Sequence, residues 1–226
     1  MKKSSKLLTG ALASCGALIA YGARSETIWP QDFTSRVEIL ALIQTLNASL
    51  LASRSATTTL EKWCADHKMA AEPKIIAQRA GGAEKEPDEE TRQRLGVPPG
   101  ETVKYRRVAL SCGGHILSEA DNWYVPGRLT PDMNRTLETT DTPFGKAVAP
   151  LQPFRRTIAM TMRWSPLPEG WELSPPTQQA SGALTLPHEI FEHKAVLYTA
   201  DQKPFSEVHE HYTREILDFA PPAEGR

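Results

Sequence analysis

Apolar residues recur at three- and four-residue steps between residues 32 and 51, where Val37, Leu40, Ala41, Ile43, Leu46 and Leu50 mark one side of a helix. Ser53-Arg54-Ser55 interrupts that pattern. A second helix follows over 57–64 with Leu60, Trp63 and Cys64 inward, and either Ser55 or Thr57 caps it. Pro73 ends the helical region, and 74–78 reads as a strand. Residues 81–100 form a polar excursion rich in Glu, Pro and Gly, with a short helix at 88–95. The segments 103–111 and 116–125 are strands joined at Gly113-Gly114, which makes a hairpin. Short helical pieces follow at 131–137 and 144–148, then a strand at 154–164. A last hairpin pairs 190–199 with 204–217 around Ala200-Asp201-Gln202-Lys203. The Pro-, Gly- and Gln-rich stretch 165–187 is a long loop, and long loops serve as lids or stay disordered. Two helices followed by a run of antiparallel strands predict an α+β fold with the helices packed on one face of the sheet.

The start of the chain changes the context. Lys2, Lys3 and Lys6 precede a diluted apolar run, and Ala23-Arg24-Ser25 offers small residues for cleavage. Residues 1–25 therefore read as an export signal, residues 26–219 as one domain, and 220–226 as a frayed tail. Leu12-Ala13-Ser14-Cys15 resembles a lipobox, which offers a lipid anchor at Cys15, and an uncleaved anchor is the second alternative, although a run of roughly 17 diluted residues is marginal for spanning a bilayer. The expected location is periplasmic, or cytoplasmic if residues 1–25 are not a signal. In the body only Cys64 and Cys112 remain. Nothing in the sequence brings their Cα atoms within disulfide range, so two half-buried thiols are the favoured reading over a bridge. A length of 226 residues, with 40% hydrophobic and 23% charged, describes a soluble domain with a real core. A net charge of −1 argues against a nucleic-acid surface, so an anionic ligand would need local arginines.

Such arginines exist. Tyr105-Arg106-Arg107-Val108 sets two in one strand, where successive side chains face opposite ways, so one of them points inward and needs an anion, either a ligand's carboxylate or a Glu within the sheet. In the last hairpin Glu210 shares a face with Val208 and Tyr212, against the core, while His209 and His211 share the other face. Those two histidines lack a third ligand at metal-site spacing, so no metal is expected. The stretch Thr140-Asp141-Thr142-Pro143-Phe144-Gly145 has the chemistry of a capped helix start. It reads first as a plain helix with Phe144 in the core, and alternatively as a set of free amides for an anion.

The ordered set comprises Ser55-Ala56-Thr57, a strand with Arg107, Tyr124-Val125-Pro126, Thr142-Pro143-Phe144-Gly145, a strand with Arg156 and a final strand with Glu210. Spread over roughly residues 40–215, it resembles the chorismate pyruvate-lyase family and the related effector-binding UTRA domains. The resemblance implies a chorismate lyase-like fold that encloses a small aromatic carboxylate, acts without cofactor, works as a monomer and belongs to ubiquinone biosynthesis. It implies that Arg107 grips the ring carboxylate and that Glu210 is the catalytic acid or base. The Phe144-Gly145 amides would seat the same carboxylate, with Ala56 on a flap and Arg156 as a further substrate contact. Pro204 to Glu210 is one residue longer than the family spacing, which calls for a β-bulge if Glu210 faces inward. Chorismate is cytosolic and the chain reads as exported, so the alternative expectation is a non-catalytic binding protein for an aromatic carboxylate.

Overall fold

The computed structural model describes residues 29–173 and 182–219. The expectations about the signal, Cys15, the tail and the middle of the 165–187 loop fall outside them. Helix α1 (Phe33–Ala52) starts where Asp32 accepts from the Ser35 amide at 2.7 Å, and it buries Ile39, Ile43, Leu46 and Leu50. Helix α2 (Ala56–Asp66) is capped by Ser55, which settles the choice left open above, and buries Leu60, Trp63 and Cys64. Strand β1 (Ile76–Arg79) is short, and α3 (Glu89–Leu95) runs from its Asp88 cap to Gly96, whose left-handed φ of 57° ends it. Strands β2 (Lys104–Cys112) and β3 (His115–Tyr124) form the expected hairpin. Helices α4 (Pro131–Thr139) and α5 (Phe144–Ala147) precede β4 (Phe154–Met162), β5 (Glu189–Tyr198) and β6 (Pro204–Thr213). The last strand is shorter than its sequence pattern predicts, because Thr213 caps a 3-10 turn over Arg214–Leu217.

All six strands join one antiparallel sheet in the order β1-β2-β3-β6-β5-β4. The fold is thus α+β with a single antiparallel sheet, as expected. Partners across an antiparallel ladder share a face. The register Val108–Ala120–Glu210–His193 defines the inner face, over which α1, α2 and α5 lie. Trp29 and Trp63 donate their indole N–H to the carbonyls of Leu217 and Ile216, which pins the final turn to this core. The small helix α3 covers part of the opposite face, where Leu95, Val97, Trp123 and Val125 make a second cluster. The bulge demanded by the Pro204–Glu210 spacing is present, since the β5–β6 register shifts between Leu197 and Tyr198.

Cys64 and Cys112 form a disulfide, with Cα atoms 6.5 Å apart, which corrects the expectation of two free thiols. The pairing joins α2 to the end of β2, an approach that only the packed tertiary structure provides. Beside it, Gly113 has a φ of +57° and no room for a side chain, since a Cβ there would meet that of Ala70 at 2.6 Å.

Candidate functional site

The inner face of the sheet carries a cavity of about 70 Å³ between the strands and the α1–α2 turn. Arg106, Val108, Asn122, Val208 and Glu210 form its floor. Arg155 and Leu197 close one side, and Arg54, Ala56, Thr57, Phe144 and Gly145 close the other. Of the residues singled out from sequence, Ala56, Phe144, Gly145 and Glu210 therefore come together. Arg107 and Arg156 do not.

Arg107 pairs across the ladder with Asp121, and Arg106 with Asn122, so the two arginines take opposite faces and Arg106 is the inward one. Arg107 lies within 4 Å of Glu119 and Asp121 on the outer side. The same one-residue correction applies in β4. Arg155 faces Leu197 on the inner side, while Arg156 faces outward and its guanidinium rests 5.2 Å from the Tyr198 ring. The proposed convergence of Arg107 and Glu210 on one ligand is thereby removed by strand parity.

Glu210 is already engaged. Its Oε2 accepts from Arg155 Nη2 at 2.5 Å and from the Tyr212 hydroxyl at 3.0 Å, with the two charged side chains only 7% and 2% exposed. Burial by itself would lower the Arg155 pKa, but Glu210 outweighs it and the net shift is upward. Such a carboxylate is a structural counter-ion rather than a free base. Glu210→Leu is expected to cost about 3–5 kcal/mol by stranding Arg155, and the double variant Arg155→Met/Glu210→Leu to recover most of that. Urea midpoints of the single and double variants check the pair.

Arg106 is the exception among these charges. The residue is only 7% exposed, its Nη2 donates to the Thr142 carbonyl at 3.1 Å, and its buried Nε has no partner. Among the described residues no carboxylate lies within 4 Å of it. Burial, and then the nearby Arg79, pull its pKa down. In the Thr140–Gly145 stretch a helix does start at Phe144, whose ring packs against the core as first expected, but without the expected side-chain cap. Helix α5 has only four residues and Pro143 at its start provides no side-chain cap. The Thr142 carbonyl holds Arg106, and Gly145 permits close packing, since a Cβ there would stand 3.1 Å from Ser55 Oγ and 3.2 Å from Thr57 Oγ1. Next to the cavity, fully buried His193 shares a hydrogen bond with Asn47 at 2.8 Å, and burial followed by the charge of Arg155 lowers its pKa to about 4.

On the outer face His209 turns to Glu207 at 3.0 Å and His211 to Glu189 at 3.0 Å, so they share no ligand position. Glu189, Glu192 and His211 cluster, but Arg163 already neutralises both carboxylates. Glu207 is fully buried and its pKa falls to about 2, because contacts from His209 and Arg94 outweigh the opposing effect of burial.

No family model matches the chain. A protein from Sinorhizobium fredii (strain NBRC 101917 / NGR234), carrying the description uncharacterized protein y4mC, is 47% identical over 214 residues, which is 94% of this chain and 90% of that protein. Among solved structures, PhnF from Mycobacterium smegmatis is similar with a TM-score of 0.45 and 13% identity, covering 91% of this chain and 95% of its own. The effector domain of the same PhnF covers 71% of this chain and 89% of its own, with a TM-score of 0.44 and 13% identity. The possible transcriptional regulator YydK from Bacillus subtilis has a TM-score of 0.40 at 13% identity, over 67% of this chain and 64% of its own. The sheet and its helices resemble the UTRA and chorismate lyase-like fold, and among these similar structures one is described as an effector domain and one as a possible transcriptional regulator. With Arg107 on the far face and Glu210 bound to Arg155, the expectation of a chorismate lyase serving ubiquinone biosynthesis is corrected. The expected exclusion of nucleic acid finds no support among these similar chains, one of which is described as a possible transcriptional regulator.

Proposed function

The chain belongs to the family of the y4mC protein of Sinorhizobium fredii, and from that premise we propose that it is a non-catalytic binding protein for a small aromatic carboxylate, held through Arg106 and working outside the cytoplasm. The observation that carries the reading is the buried guanidinium of Arg106 without a carboxylate partner. Removing a cation from water without a counter-charge costs several kcal/mol, and proteins keep such a group where a ligand supplies the missing charge. A guanidinium offers two parallel N–H donors to a planar carboxylate. The walls next to it, Val108, Val208, Leu197 and the Phe144 ring, are apolar and suit the edge of an aromatic ring. The cavity supplies no free acid or base, since its carboxylate Glu210 is consumed by Arg155. Binding without turnover is what such an arrangement supports. Placement outside the cytoplasm is supported by the basic and apolar residues 1–25 and by the Cys64–Cys112 disulfide.

Thermal unfolding of residues 26–226 with and without 4-hydroxybenzoate tests the reading. A ligand that binds only the native state at a hundredfold its Kd adds roughly 2.7 kcal/mol, a rise in Tm of several degrees. A Tm unmoved by millimolar 4-hydroxybenzoate and benzoate would refute it.

A further inference from the structure

Arg106 lines a second and far larger hollow. A cleft of about 730 Å³ lies along the free edge of β2, bounded by Arg79, the 80–86 loop, Lys104, Tyr105, Tyr124 and Glu138. It exists because β1 is only four residues long. That strand pairs with Ser111 to Val108 and then departs, its last tie being the Ala80 amide on the Arg107 carbonyl. The edge from Lys104 to Arg107 is left without a strand beside it.

The two hollows differ in what they can hold. The inner cavity, at 70 Å³, falls below the roughly 300–1,000 Å³ of whole-ligand pockets, whereas the cleft, at 730 Å³, lies within that range. A ring whose acid group reaches Arg106 can set one edge against the apolar walls of the inner cavity but places the rest of its body in the cleft. There it meets the Tyr124 ring and a second guanidinium. Arg79 faces Val108 across the ladder, which makes it the diagonal, same-face neighbour of Arg106, within reach of long side chains. Its Nη2 donates to the Glu138 carbonyl, and among the described residues no carboxylate lies within 4 Å of it. The other cations of the cleft are answered: Lys104 by Glu138, Lys85 by Asp121, and Arg107 by Glu119 and Asp121. Glu84 and Glu86 stand on the loop wall and leave the lining with five cations against three carboxylates.

We propose that the cleft is the second half of the ligand site, and that the ligand is an elongated aromatic dianion with one anionic group on Arg106 and the other on Arg79. This inference rests on the binding reading above and adds the ligand's second charge and its seat. Two guanidinium groups on one face with no carboxylate within 4 Å among the described residues repel one another, and a ligand bearing two anionic groups relieves that repulsion more than a monoanion does.

The probes are benzoate, phenyl phosphate and 4-carboxyphenyl phosphate, titrated calorimetrically into the wild-type chain and into Arg79→Met and Arg79→Lys. Wild type should bind 4-carboxyphenyl phosphate at least about tenfold more tightly than either one-headed probe. Arg79→Met should bring the two-headed probe down to the level of benzoate while costing benzoate far less, and Arg79→Lys should keep part of the preference. Equal affinity for one- and two-headed probes overturns the inference and leaves the binding reading standing. An equal loss for both probes in Arg79→Met also overturns it, since the residue would then act only by supporting Arg106 or the fold. If none of the three binds wild type, both readings fall.

Discussion

Arg106→Met is expected to abolish binding of benzoate and 4-hydroxybenzoate while raising the melting temperature. Truncating one partner of a buried, hydrogen-bonded charge pair costs about 2–5 kcal/mol of affinity, roughly thirtyfold to several thousandfold in Kd. The stability change has the opposite sign because in the unliganded chain no carboxylate among the described residues lies within 4 Å of the buried Arg106. Met fills similar space, removes a desolvated charge and forfeits one hydrogen bond to the Thr142 carbonyl, worth about 1 kcal/mol. The balance is a gain of about 1 kcal/mol, or roughly 2–4 °C at this chain length. Arg155 provides the control within the same cavity. Arg155→Met leaves Glu210 buried and uncompensated, so its Tm should fall. A purely structural arginine at 106 would make both variants lose stability together, and calorimetric scans of the two proteins decide between these outcomes. If Arg106→Met binds 4-hydroxybenzoate as wild type does, the anion has another seat and the site assignment fails.

The contrast between those two arginines also marks how far the sequence could be read. In β2 the alternation was legible: Arg106 keeps step with Val108 and Leu110, Arg107 with Ala109 and Ser111, so the apolar face already named Arg106 as the inward residue. The family pattern pointed to Arg107 and outweighed it. In β6 the same rule placed Glu210 with Val208 and Tyr212 on the inner face, as the ladder has it. In β4 alternation misleads. Phe154, Arg156, Ile158 and Met160 look like the apolar face, yet the strand lies at the sheet edge, its register shifts between Thr157 and Ala159, and Ile158 and Met160 are both 40% exposed. The partner of Glu210 was illegible for a different reason, because Arg155 is 55 residues away and only the β4–β5–β6 order joins them. Glu207 likewise reads as a solvated position until α3 covers it and supplies Arg94. Element existence followed local pattern, whereas charge pairing followed strand order.

The largest effect on the fold itself is expected from Cys64→Ala/Cys112→Ala. The bridge closes a separation of 48 residues, and the loop-closure relation gives roughly 4 kcal/mol of stabilisation for a ring of that size. Against the 5–15 kcal/mol typical of a domain, that is a large fraction. The urea midpoint should fall accordingly, and the m-value should rise, because an uncrosslinked unfolded chain exposes more surface. Wild type in dithiothreitol should match the double variant in air, which separates loss of the crosslink from any cavity left by the missing sulfurs. The bridge ties α2 to β2, and both Thr57 on α2 and Arg106 on β2 line the ligand cavity. At temperatures where the double variant is still folded, 4-hydroxybenzoate should therefore bind it with a wild-type Kd only if the core alone holds those two elements in place. A midpoint unchanged by reduction or substitution would show that the crosslink adds nothing to the native state, and would take away the structural support for an oxidising compartment.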